Sequence, residues 1–176
     1  MTDFATTDDL FFNRAGLNRV CVERLVDNAL GSADDGELFL EYRQSESVVL
    51  DDGKVKSAAF DTMQGFGLRV VAGEATGYAH ASELSEVALK RAVDTVRSVT
   101  KGHNGEVTAA PTGTNVNLYA DDNPLSSIPF NDKLVLLSDM DAYARQKDER
   151  VKQVTVNLSG EWQAVQILRV GGHRAT

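Results

Sequence analysis

The chain has 176 residues, 42% of them hydrophobic, and 26 acidic against 18 basic residues give a formal net charge of −8. That length suits one domain, or one with part of another, and is enough to bury a core. The acidic balance, with no block of five or more Lys/Arg residues, argues against direct contact with phosphate backbones.

The first residues, MTDFATTDDLFF, carry acid where a signal peptide needs positive charge, and no apolar run approaches the ~20 residues of a membrane span. A soluble, cytoplasmic protein is expected. From Gly16 to Leu30 the apolar positions Leu17, Val20, Cys21, Leu25 and Ala29 recur at helical spacing, with Gly31 placed to end the helix. Cys21 is the single cysteine. It has no internal disulfide partner, fits a reducing compartment, and reads as a buried structural thiol. Asp34-Asp35-Gly36 marks a turn, and Glu37 to Gln44 alternates Leu38, Leu40 and Tyr42 on one face, as a strand does.

Val48 to Ala81 reads as a meander of short antiparallel strands. Turns fall at Asp51-Asp52-Gly53 and Ala72-Gly73-Glu74, and Gly65 and Gly67 permit a bulge or a close backbone approach. A dinucleotide-binding loop is excluded, because the third glycine of G-x-G-x-x-G would fall at Val70 and a strand follows instead of a helix. Ser82 then stands as the N-cap of a helix with an apolar stripe of Leu84, Ala88, Ala92, Val96 and Val99, closed by Gly102. Glu83 and Glu86 near its start, with Arg97 and Lys101 near its end, complement the helix dipole.

Residues 104–129 shift toward Gly, Thr, Asn, Asp and Pro and read as a linker, with a short strand at Asn115 to Tyr119. Phe130 to Arg145 is helical, with the apolar set Leu134, Leu137, Met140 and Ala144. At the end, Val154, Val156 and Leu158 alternate with polar residues, Ser159-Gly160 reads as a turn, and Trp162 to Val170 runs back. A lone hairpin of this kind is marginal in water, so it calls for partners. The fold class is therefore α+β: an antiparallel β-meander packed with flanking helices over residues 1–103, the linker, and at 130–176 the incomplete start of a second, mainly β domain made of a helix and a β-hairpin.

Three blocks carry a resemblance. Asp52-Gly53-Lys54-Val55-Lys56, Gln64-Gly65-Phe66-Gly67-Leu68-Arg69 and Gly73-Glu74-Ala75-Thr76-Gly77-Tyr78-Ala79 occur in this order and at these separations, and the series resembles the signature of the TldD/PmbA family of bacterial metallopeptidases, nearer its TldD branch. Tyr119 with Asn123-Pro124-Leu125, and Asp141-Ala142-Tyr143-Ala144-Arg145, resemble the corresponding family segments. The resemblance implies a zinc peptidase acting on peptides or unstructured polypeptides, paired with a PmbA/TldE-like subunit. It also implies a chain that continues through a larger central sheet domain. The family's older label, modulator of DNA gyrase, is then an indirect effect, since the acidic charge disfavours nucleic acid.

A zinc peptidase of this kind carries His-Glu-x-x-x-His on one helix, so that both imidazoles face the metal and the carboxylate activates bound water. That motif is absent here. The histidines are His80, His103 and His173, none followed by glutamate. His80 reads as a strand or cap residue and His103 as a solvated loop residue. No Gly-x-Ser-x-Gly elbow or Walker loop occurs, and the acid pairs Asp8-Asp9, Asp51-Asp52 and Asp121-Asp122 suit turns better than acid/base dyads. No catalytic, cofactor-binding or metal residue is assigned, and the chain alone is expected to be inactive. The alternative is a non-enzymatic α+β module that binds a protein partner by its surface or an open sheet edge.

Overall fold

The computed structural model describes residues 4–106, 109 and 122–176. The strand expected at Asn115 to Tyr119 lies outside the described residues, as does Asp121. The elements run α1 (Ala5–Asp8), which continues into a π-helical turn at Asp9–Asn13, then α2 (Arg19–Leu30), β1 (Asp35–Asp51), β2 (Lys54–Ala72), β3 (Ala75–Ala81), α3 (Glu86–Thr100), α4 (Phe130–Lys147), β4 (Thr155–Leu168) and β5 (Arg174–Ala175). The architecture is α+β, with a five-stranded antiparallel sheet in the order β3-β2-β1-β4-β5.

Two expected breaks in the strands are absent. The strand expected at Glu37 to Gln44 and the one ending at Leu50 are a single 17-residue strand, β1. Polar Ser45-Glu46-Ser47 does not interrupt it: Glu46 accepts from Lys133, and Ser47 lies within hydrogen-bond distance of Asn157. The expected terminal hairpin is likewise a correction. Ser159-Gly160 does not turn, and β4 runs straight through it for 14 residues. Gly160 is there for space, since a Cβ on it would stand 2.7 Å from Leu125 Cδ2. The partners that this segment requires are β1 and β5, with Ile167 opposite Ala175 and Leu168 opposite Arg174.

The turn after β1 forms as expected. Asp52 and Gly53 both take positive φ, +48° and +72°, the geometry whose twist matches a two-residue hairpin and which Asp-Gly adopts at low cost. Beyond it β2 keeps 19 residues in one strand, and β3 pairs only with its second half, from Phe66 opposite Ala81 to Ala72 opposite Ala75. Gly65 sits inside that strand and serves close approach, its missing Cβ being 2.7 Å from Ala81 O.

The described residues fall into two compact units, one within 1–42, 63–118 and 164–176, the other within 43–62 and 119–163. The long strands β1, β2 and β4 contribute residues to both. In the first unit the core is apolar: Leu38 and Leu40 of β1, Leu68 and Val70 of β2, Val22 and Val26 of α2, and Leu89, Val93 and Val96 of α3 are all buried. Helix α3 packs on β3 and on α2. Burying each such side chain stabilises by about 1.5–3 kcal/mol.

The inward face of α2 differs from the sequence reading in phase, whereas the α3 stripe of Leu84, Ala88, Ala92 and Val96 is buried as expected. In α2 the inward residues are Val22, Val26, Ala29 and Leu30, while Val20 is exposed. Asn18, whose side chain accepts from Cys21 N–H at 3.1 Å, sets where the helix begins and hence which stripe faces inward. Cys21 is accordingly half-buried, with Arg24 donating to its Sγ at 3.3 Å. In α3 the N-cap is Ser85 and not Ser82: its Oγ accepts from Ala88 N–H at 3.1 Å, and Val99 is exposed.

The second unit has a smaller apolar cluster. Val48, Leu50 and Leu137 are buried, with Leu134, Val156 and Leu158 packed against them. Met140, expected inside α4, is exposed, and the stripe shared with Leu137 is completed by Lys133 and Asp141.

Candidate functional site

In the second unit, polar groups gather where the β1–β2 turn meets the end of α4. The backbone of Asp52 donates to Val154 O at 2.9 Å, and its carboxylate accepts in return from Val154 N–H at 3.0 Å. Arg145 also donates to that carboxylate, while its Nε bonds Asp141 one helical turn back at 3.0 Å and its Nη1 reaches Lys152 O at 3.3 Å. The Val154 N–H first, and then Arg145, hold the Asp52 carboxyl below its usual range. Asp51 is held low as well, by hydrogen bonds from Thr155 and Gln153 ahead of the charge of Lys56. Asp141 and Asp52 in turn raise Arg145.

Deeper in the same unit, Lys133 is 5% exposed. Its ammonium donates to both oxygens of Glu46, at 2.6 and 2.7 Å, and to Leu125 O at 2.7 Å, so all three of its donors are used. Leu125 is presented by a capped turn in which Asn123 accepts from Leu125 N–H and donates to Gln44 at 2.6 Å. Beside Glu46 lies an open groove of about 360 Å³ lined by Asp61, Glu161, Ser45, Ser47 and Ser159. It holds no histidine or cysteine, and its Glu46 is already committed to Lys133.

The first unit has its own ionic centre. Arg69 forks onto Glu37 at 2.6 and 2.8 Å and reaches Asp35 at 2.7 Å, and Arg169 pairs with Asp35 from the other side. Burial pushes the Asp35 carboxyl upward, but the hydrogen bonds from Arg69 and Gly36, with the charges of both arginines, outweigh it and leave it lowered. Arg69 is raised by Glu37 and Asp35. These are bidentate, charge-assisted contacts that fix strand register.

The three histidines are dispersed. His80 stands exposed on β3, stacked on Tyr78 with ring centroids 5.6 Å apart, His103 is exposed in the loop after α3, and His173 follows β4, its carbonyl accepting from Arg169 N–H. Zinc hydrolysis needs about three protein ligands and a base near the bound water. Among the described residues no group of three or more His, Cys, Asp or Glu is placed to hold a metal, so the side chains present do not fit that ion. The contacts that the sequence reading missed are Lys133–Glu46 and Asp52–Arg145. The signal for both lay in helical phase: Lys133, Asp141 and Arg145 follow the spacing of Leu137, which points charged residues at the sheet. Among the described residues no helix is long and apolar enough to cross a membrane.

Residues 36–100 match the family model for the PmbA/TldA metallopeptidase domain 1, and residues 123–176 match the PmbA/TldA metallopeptidase central domain. The chain is 33% identical over 142 residues to the metalloprotease TldD homolog of Haemophilus influenzae, covering 79% of this chain and 30% of that protein. In structure it is similar to a protein of Bacteroides thetaiotaomicron assigned as a modulator of DNA gyrase, with a TM-score of 0.65 at 20% identity over 86% of this chain and 36% of that one. It is also similar to TldE of Thermococcus kodakarensis, with a TM-score of 0.63 at 16% identity over 88% and 37%. At these identities the solved structures establish the fold. The chain spans about a third of the length of such relatives.

Proposed function

Because the chain belongs to the PmbA/TldD metallopeptidase family, we propose that it is the N-terminal portion, with the start of the central domain, of a TldD-like zinc peptidase acting on peptides or unstructured polypeptides. The observation that carries this reading is the ordered pair of family matches, 36–100 and then 123–176, on a chain whose described residues hold no metal-ligand group. Its role in that enzyme is scaffolding. The ionic centres fix strand register and anchor α4 on the sheet, and the metal and its catalytic base belong to a His-Glu-x-x-x-His helix elsewhere in the protein.

The division at 103, the linker to 129 and the central segment from 130 are part of this proposal, as are cytoplasmic localisation and pairing with a PmbA/TldE-like subunit. The test compares two preparations on an unfolded peptide: this chain alone, and a polypeptide in which it continues through a His-Glu-x-x-x-His helix, mixed with the paired subunit. Chelator-sensitive turnover is expected only from the second. An inactive extended complex would refute the peptidase reading and favour a protein-interaction module.

A further inference from the structure

We infer that residues 4–8 form a clasp that keeps strand β5 on the sheet, so that order at 173–175 is coupled to the seating of the N-terminal segment. The inference concerns the first unit alone and is independent of the peptidase reading. β5 has two residues, with Ala175 opposite Ile167 and Arg174 opposite Leu168, and just before it Arg169 N–H donates to His173 O at 2.9 Å. So short a ladder is marginal by itself. The turn that leads into it places Gly171 and Gly172 at φ of +73° and +74°. Asp27 pins that turn, accepting from Gly171 N–H at 2.9 Å, so freedom begins after it, at His173.

The clasp closes on the next residue. The Arg174 guanidinium lies 4.3 Å from the centre of the Phe4 ring and 5.8 Å from that of Phe12, and its side chain is 11% exposed. Its Nη2 donates to Asp8 Oδ1, and the same oxygen accepts from Gln166 Nε2 at 3.3 Å. Gln166 belongs to β4, is fully buried, and also donates to Thr7 Oγ1 at 3.2 Å. One carboxylate oxygen of the N-terminal segment thus joins β4 to β5. A cation stacked on aromatic rings and paired with a carboxylate away from water is held more firmly than an exposed pair. The same knot is poised to open. Gln166 Oε1 and Arg174 Nε are buried with no partner among the described residues. The closed state therefore keeps one acceptor and one donor unpaired, and lifting residues 4–8 returns both to water. Leu10, Phe11 and Phe12, in the π-helical turn that follows, are buried and anchor the segment while its first residues lift.

The experiment follows backbone amide exchange by NMR in the complete 176-residue chain, labelled with ¹⁵N. Asp8→Ala is expected to speed exchange of the Arg169 amide, whose acceptor lies on the released segment, about tenfold, while amides in 68–71 and 89–96 change less than about twofold. Asp9→Ala removes the neighbouring carboxylate, whose pair with Arg14 is exposed, and is expected to change neither group. The converse variant, Arg174→Met, removes the cation and keeps an unbranched side chain. It is expected to speed exchange of the Asp8 amide, which donates to Phe4 O at 2.8 Å, by a similar factor, because coupling is reciprocal. The double variant is expected to exchange at both sites no faster than the single ones, since each already opens the clasp. The inference is overturned by unchanged exchange at Arg169 in Asp8→Ala, by an equal response to Asp9→Ala, or by an unchanged Asp8 amide in Arg174→Met. Acceleration spread evenly through 68–96, or additive effects in the double variant, would overturn it as well, by assigning these contacts to general stability.

Discussion

The two units of this chain solve the same problem, fastening helices to an antiparallel sheet, by different means. The first buries aliphatic side chains from β1, β2, α2 and α3 in one apolar core. Among the described residues the second buries four hydrophobic residues, Val48, Leu50, Leu125 and Leu137, and supplements them with Lys133–Glu46 inside and Asp52–Arg145–Asp141 at the strand turn. Apolar burial is non-directional and tolerant, whereas ion pairs are directional and depend on pH and salt. The same sheet thus carries one part whose stability is set by area and another where register is set by a few named contacts.

The largest effects come from placing charge in the apolar unit. Val96 is fully buried on α3, so Val96→Asp is expected to cost on the order of 5 kcal/mol, comparable with the whole margin of a small domain. A thermal melt equal to that of the parent would show that α3 is not packed as described. Next is Lys133→Ala, which strands Glu46 without its partner and is expected to cost about 3 kcal/mol. The double change Lys133→Met with Glu46→Leu is expected to recover most of that loss in denaturant titration. If the double variant is no better than the single one, the pair is not the fastening of the second unit.

Two glycines give a smaller and sharper contrast. At Gly77 an added Cβ meets the backbone of α3, which cannot yield without moving the helix, whereas at Gly160 it meets the end of the Leu125 side chain. Gly77→Ala is expected to cost about 1–3 kcal/mol, and Gly160→Ala less, because a leucine methyl can rotate away. Equal losses would mean that Leu125 is as rigidly held as a helix backbone.

The smallest effect is acid sensitivity. Asp51 and Asp52 are held below their ordinary pKa. Their contribution is therefore complete above the unfolded value near 3.8 and is lost as the pH falls through the lower native values. Asp35 in the first unit behaves in the same direction, but there the apolar core remains. On lowering the pH from 5 to about 2, hydrogen exchange is expected to show residues 43–62 and 122–163 losing protection before 19–42 and 66–100. Simultaneous loss would erase the distinction between the units.

Much of this was legible in the sequence where one residue type admits one local geometry. Asp52-Gly53 specified its turn, Leu38 and Leu40 the inward face of β1, and the three glycine-bearing blocks the family. Strand length was not legible. Ser45-Glu46-Ser47 and Ser159-Gly160 carry turn chemistry, yet distant partners, Lys133, Asn157 and Leu125, hold them extended or close-packed. The phase of α2 failed for a similar reason, since the cap Asn18 decides its inward stripe more than the count of apolar residues does, whereas the α3 stripe of Leu84, Ala88, Ala92 and Val96 was legible. As for the site, the sequence showed that the histidine motif is missing, and the positions of His80, His103 and His173 could come only from the fold.

Under the proposed function, this chain supplies scaffold while the metal chemistry lies elsewhere in the protein. Its most direct test is metal content: the purified chain is incubated with zinc, desalted, and analysed by elemental mass spectrometry beside a peptide-turnover assay. Well under one zinc per chain and no turnover above a chelator-treated control are expected. One tightly held zinc per chain, with cleavage abolished by chelator, would contradict it.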